Sequence, residues 1–115
     1  DLPRVDIVYS YAGADGLLIN AVRNSESKGL ILAGFGGGTF PPLIMSEAIE
    51  TVQQGIPVVL ASRSTAGRVV LTPEKVKHGF VVSDNLMPQK ARILLMLSLA
   101  FTNDRAKIQE MFEQY

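Results

Sequence analysis

The stretch Leu30-Ile31-Leu32-Ala33-Gly34-Phe35-Gly36-Gly37-Gly38-Thr39-Phe40-Pro41-Pro42-Leu43-Ile44 decides the fold. Leu30–Ala33 is apolar at every position, as a central parallel strand covered on both faces should be. The glycine-rich run is the loop leaving it. Pro41 and Pro42 suit the first turn of a helix, where a missing N–H costs nothing. Leu43, Ile44, Ala48, Ile49 and Val52 then recur at helical spacing. Gly55 stops that helix in a left-handed conformation. Ile56–Ala61 follows as another strand, with Pro57 near its start. Strand, loop, helix and strand in this order make a parallel crossover unit.

Working outward, the same rhythm repeats. Val5–Tyr11 reads as the first strand. Asp15 is a candidate N-cap for a helix over residues 15–25, with Leu17, Leu18, Ala21 and Val22 on its apolar face. Residues 62–78 form the longest irregular stretch, and Phe80–Val82 is a short fourth strand. Pro88 opens a helix running through Phe101 whose near-continuous apolar character predicts burial. Ile108, Met111 and Phe112 mark one side of a last helix. The fold class is α/β: three layers, a small parallel sheet of about four strands, helices on both faces, flavodoxin- or Rossmann-like.

Composition agrees. The 115 residues are 47% hydrophobic and 19% charged. A chain of this mass should fold to roughly 6,200 Å² of surface from roughly 18,000 Å² extended. Eleven basic and eleven acidic residues cancel, so no general polyanion field exists and nucleic acid is excluded as a favoured partner. The absence of cysteine removes disulfides, thiolate metal sites and a cysteine nucleophile. The apolar run at residues 93–101 is far shorter than the ~20 residues of a membrane span. The chain opens on Asp1 without Met, and is expected to be a processed form or an excised piece.

Two segments are candidates for chemistry. The Gly34–Gly38 loop sits where backbone N–H groups can face an anion. It fails as a dinucleotide fingerprint, because Thr39 stands at the third glycine position and Ser62-Arg63 replaces the acid expected after the next strand. It is either a tight turn or a ligand-facing loop at the carboxyl edge of the sheet. Residues 62–78 carry Arg63, Arg68, Lys75 and Lys77 against one carboxylate, Glu74. They are either solvated surface or a lid offering Glu74 to a cationic group. His78 is the sole histidine and has no ligand-spaced companions, so no metal site is expected. No threonine or serine stands in a recognisable triad. Two further readings stay open: a phosphate- or nucleotide-binding module built on the glycine loop, and a domain that only builds an oligomer.

From end to end the chain resembles the C-terminal domain of bacterial type II L-asparaginases and glutaminase-asparaginases. The resemblance rests on Pro88-Gln89-Lys90-Ala91-Arg92-Ile93-Leu94-Leu95-Met96-Leu97, Thr102-Asn103-Asp104 and Ile108–Tyr115. Val8-Tyr9-Ser10-Tyr11, Ala33-Gly34-Phe35-Gly36 with Gly38, and Ala61-Ser62-Arg63 with Gly67 add to it in the same order. It implies an amidohydrolase that converts L-asparagine, and often L-glutamine, to the acid and ammonia without metal or organic cofactor. The threonine nucleophile and a Thr-Asp-Lys relay would lie in an N-terminal domain outside residues 1–115, leaving no catalytic residue here. The chain would instead complete a neighbouring subunit's active site within a homotetramer, a dimer of intimate dimers. Thr39 falls where relatives carry Asn or Ser, and Glu74 takes the role of the family's long-loop glutamate; both would bind substrate. The type II likeness further implies a periplasmic or secreted protein. Met87 departs from the family pattern, which places a capping Asn before the proline. Asp84 or Asn85 is then the candidate cap one turn earlier.

Overall fold

A computed structural model describes residues 2–10, 15–34, 40–64 and 68–115. Four strands, β1 (Val5–Tyr9), β2 (Gly29–Gly34), β3 (Val58–Ser62) and β4 (Val81–Val82), pair in parallel in the order β1-β2-β3-β4. The helices are α1 (Leu17–Arg23), α2 (Pro42–Gln53), α3 (Pro73–Lys77), α4 (Pro88–Leu99) and α5 (Arg105–Gln114). Because the strands step in one direction, right-handed crossovers carry the connecting helices to the same face. The opposite face is then closed by α4, which runs back across β1, β2 and β3, and by α5 against β4.

Alternation along β2 and β3 divides the core in two. Leu30, Leu32, Val58 and Leu60 meet Ile19, Ile44, Ala48 and Phe80 on one face. Ile31, Val59, Ala61 and Val81 meet Ala91, Leu95, Ile108 and Phe112 on the other. All six residues of β2 are buried, as its central place requires. The chain exposes 6317 Å², close to the roughly 6,200 Å² expected for its mass. Among the described residues no helix is long and apolar enough to cross a membrane.

Local signals hold at some helix ends. The expected helix over 15–25 is shorter, Leu17–Arg23, and its N-cap is Gly16 without a side-chain bond; the Asp15 carboxylate lies one residue earlier and accepts from the Leu17 N–H at 3.1 Å. Gly55 takes φ +90°, a conformation most other residues resist. Asp104 caps α5 by accepting from the Lys107 N–H at 3.0 Å. Met87 occupies the N-cap of α4 with no side-chain bond. Asp84 does not substitute for it; it adopts φ 59° and pairs with Arg68.

Three expectations need correction. Residues 62–78 are not irregular throughout, because Thr72-Pro73-Glu74 starts the short helix α3, whose Thr72 Oγ1 accepts from the Lys75 N–H at 3.3 Å. The inward residue of α1 is Ile19, while Leu17 and Leu18 are exposed. Its register is set by Ile19 on the sheet and by Arg23, which reaches α2 through Glu47 at 2.8 Å. Nor is α4 buried all round: Ala91, Leu95 and Ser98 face the sheet, but Ile93 is 55% and Leu97 46% exposed. A helix covering one face of a sheet has only one inward stripe, however apolar its sequence.

Candidate functional site

The strand ends form a small polar floor. Ser10 follows β1, Gly34 ends β2, Ser62 ends β3 and Ser83 follows β4, and the three serines are buried. Pairing sets Gly34 beside Ser62. Small residues here leave room above the sheet at the edge where parallel α/β folds bind ligands. The Ser83 hydroxyl is buried without a hydrogen-bond partner.

The ends of the glycine-rich loop meet. A Cβ built on Gly34 would lie 2.5 Å from Cε1 of Phe40, so the Phe40 ring occupies the space that any side chain at residue 34 would need. Phe40 also packs against the core beneath α2. Thr39 and its loop lie outside the described residues.

Glu74 projects from the first turn of α3 and lines a shallow pocket with Phe40, Met45, Thr72, Lys75, His78 and Phe80. The carboxylate is exposed. It thus shares a cavity with the chain neighbour of Thr39. Lys75 turns away from Glu74 to donate from Nζ to the Val70 carbonyl at 2.8 Å, and burial lowers its pKa below the ordinary value. His78 ends α3, its ring tilted against Phe80 at a centroid distance of 6.3 Å. No group of His, Cys, Asp or Glu able to hold a metal occurs among the described residues.

The approach to α3 is tethered. Val69 is fully buried and its N–H donates to the Asp84 carbonyl at 3.2 Å. The Arg68 guanidinium pairs with the Asp84 carboxylate, which raises the Arg68 pKa through that hydrogen bond and the opposite charge. These contacts join residues 68 and 69 to Asp84, just after β4. On the β1 side, the Arg63 guanidinium lies over the Tyr9 ring, 5.3 Å from its centroid. The Tyr9 hydroxyl accepts from Gln89 Nε2 at 3.2 Å. Tyr9 thus partners two side chains, Arg63 and Gln89; Tyr11 lies outside the described residues.

Sequence reading missed the Arg63–Tyr9 stack, the Arg68–Asp84 pair and the turn that presents Glu74. The last was detectable: threonine, proline and an acid in succession are a helix start. The two pairings were not, because they join residues distant in sequence.

Comparison with known proteins gives the family. The model of the Glutaminase/Asparaginase C-terminal domain matches residues 4–112. L-asparaginase 2 of Bacillus subtilis is 37% identical over 115 residues, covering 100% of this chain and 31% of the relative. The glutaminase-asparaginase of Pseudomonas fluorescens is 35% identical, covering 99% of this chain and 32% of the relative. A crystal structure titled as a probable cytoplasmic L-asparaginase from Campylobacter jejuni superposes with a TM-score of 0.95 at 40% identity, over 100% of this chain and 38% of that one. The chain thus spans about a third of the length of the relatives it matches. It belongs to the glutaminase/asparaginase C-terminal domain family.

Proposed function

We propose that this chain is the C-terminal domain of an enzyme hydrolysing the side-chain amide of L-asparagine, and of L-glutamine, to the acid and ammonia. In the complete enzyme a threonine of the N-terminal domain attacks the amide carbon, the C–N bond breaks and ammonia leaves. Water then cleaves the resulting ester and releases L-aspartate. This chain contributes no nucleophile. It holds the amino-acid end of the substrate for a neighbouring subunit in a homotetramer, and the protein works in the periplasm or outside the cell.

The roles follow from chemistry. An α-ammonium entering beside a carboxylate forms a charge-assisted hydrogen bond, which is stronger than a neutral one. Glu74 supplies that acceptor. The Thr39 hydroxyl donates one hydrogen bond and accepts others, fewer donors than an amide side chain would give.

The reading is carried by one observation: Glu74 and Phe40 line the same pocket, although Glu74 comes from the β3–β4 connection and Phe40 ends the β2–α2 loop. A carboxylate and the root of the Thr39 loop are thereby neighbours at the carboxyl edge of the sheet. The test is ammonia release by the complete enzyme carrying Thr39→Ala or Glu74→Ala. Loss of a charged hydrogen bond costs about 1.5–3 kcal/mol, so Glu74→Ala should raise KM about tenfold to a hundredfold. Thr39→Ala should raise it less, and neither should change the sedimentation coefficient. Unaltered kinetics in both would remove these residues from the site, and a parent enzyme inert toward both amides would remove the function.

A further inference from the structure

Glu74 and Lys75 are consecutive residues of α3 with opposite charges, yet they do not pair. No ion pair among the described residues includes either one. Lys75 Nζ is drawn instead to the Val70 carbonyl, 2.8 Å away. An ammonium carries three donors, so two remain for another acceptor. Lys75 is half-buried, and burial lowers its pKa by stripping water from the cation, a cost that a nearby negative charge offsets. Glu74 is exposed.

Both residues line one cavity of about 330 Å³, at the small end of the ~300–1,000 Å³ usual for small-molecule sites. Phe40, Met45 and Phe80 give it an apolar wall. A lone anion entering here would meet repulsion from Glu74, and a lone cation would meet it from Lys75. A ligand that carries an ammonium and a carboxylate on the same carbon satisfies both, and its side chain can lie along the apolar wall.

We propose that this cavity binds a free α-amino acid as a zwitterion, with Lys75 Nζ donating to the α-carboxylate while Glu74 accepts from the α-ammonium. Only the identity of that amino acid, the amide substrate or its acid product, rests on the amidase reading above. The same pairing sets a substrate class. An asparagine inside a peptide has lost both charges and would leave Glu74 and Lys75 without their partners, so free amino acids are selected over peptides.

The test compares L-aspartate with its α-methyl ester by calorimetry on the complete enzyme. The two ligands share the ammonium and the side-chain carboxylate and differ only in the α-carboxylate charge, and neither contains an amide to be turned over. The parent should bind the ester about tenfold more weakly. Lys75→Met should weaken L-aspartate about tenfold and the ester less than twofold, so that the difference between the ligands collapses. Lys75→Arg keeps a cation and should retain most of the difference. Glu74→Gln should weaken both ligands alike. Lys75→Gln, which keeps a donor for Val70, gives the same comparison if the methionine variant does not fold. A parent that binds acid and ester equally overturns the proposal, as does a difference that survives in Lys75→Met and Lys75→Gln. Ammonia release from L-asparagine and L-glutamine by the parent is measured separately. No release with a collapsed difference removes the amidase reading and keeps the amino-acid site, whereas release with a surviving difference removes the Lys75 assignment alone.

Discussion

Replacing Gln109 by methionine tests how the sheet ends at β4. That strand has two residues and, among the described residues, no fifth strand beside it. Instead the buried Gln109 side chain of α5 accepts from the Val82 N–H at 2.9 Å and donates to the Val82 carbonyl at 3.2 Å. A side-chain amide thus supplies the pair of hydrogen bonds that a neighbouring strand would make. Methionine has nearly the same length and no comparable donor or acceptor, so Gln109→Met leaves both Val82 groups buried and unpaired. Each orphaned group costs about 1–3 kcal/mol, giving about 2–6 kcal/mol for the pair, against a total of about 5–15 kcal/mol for a domain. Urea denaturation followed by circular dichroism should show the lower midpoint with an unchanged slope. Gln109→Glu keeps the acceptor but loses the donor and buries a charge, and should be no more stable than the methionine variant. A Gln109→Met loss under about 0.5 kcal/mol would mean that water reaches Val82, and the account of this edge would be wrong.

Four other outcomes follow from the same geometry. Met87→Asn should stabilise the chain by about 0.5–2 kcal/mol in chemical denaturation, because α4 starts without a side-chain cap; an unmoved midpoint would show that its first N–H groups are satisfied elsewhere. Gly34→Ala drives a methyl into the Phe40 ring and should destabilise by about 1–3 kcal/mol, with KM for asparagine rising in the complete enzyme. The isolated 115-residue chain should release no ammonia from L-asparagine above a buffer blank and give no saturable heat with NAD or ATP in calorimetry. Finally, burial lowers the Lys75 pKa from 10.5, so the unfolded chain binds more protons between the lowered value and 10.5 and stability should rise with pH across that interval; Lys75→Met should abolish that rise in denaturation midpoints measured from neutral pH upward.

What sequence made legible was whatever repeats on a short period. Leu30–Ala33 announced a central strand because both its faces are covered, and the pairing of β2 with β1 and β3 follows from that. Pro42 and Gly55 marked helix ends through backbone rules that need no tertiary partner. The failures share a cause too. Leu17 and Leu18 looked inward because they are apolar, yet a seven-residue helix can turn only one narrow stripe to a sheet, and Ile19 takes it. The residues 93–101 looked mostly buried for the same reason, yet Ile93, Leu97 and Phe101 are exposed. Hydrophobicity says that a side chain favours cover; it does not say which surface provides it.

The site was legible only in part because its chemistry depends on convergence. The sequence separates Phe40 from Glu74 by more than an entire crossover unit, and they meet because β2, β3 and β4 are consecutive neighbours in one parallel sheet. In that order β2 and β4 flank β3, and the root of the loop leaving β2 and the helix preceding β4 lie on the same face of the sheet. A carboxylate near the start of α3 therefore reaches the β2 loop without any long excursion of the chain. Val69 and Arg68, shortly before α3, both bond to Asp84, and Arg63, after β3, bonds to the Ser10 carbonyl after β1. Glu74 on an untethered loop would have to be ordered by substrate, at the cost of affinity. If Glu74 binds substrate as proposed, a capped helical turn lowers that ordering cost, so breaking the tether with Arg68→Ala should weaken substrate binding in the complete enzyme even though Arg68 lies outside the pocket that Glu74 lines. A KM unchanged by that substitution would show that the turn is ordered without Asp84, and that the preorganisation lies in the Thr72 cap alone.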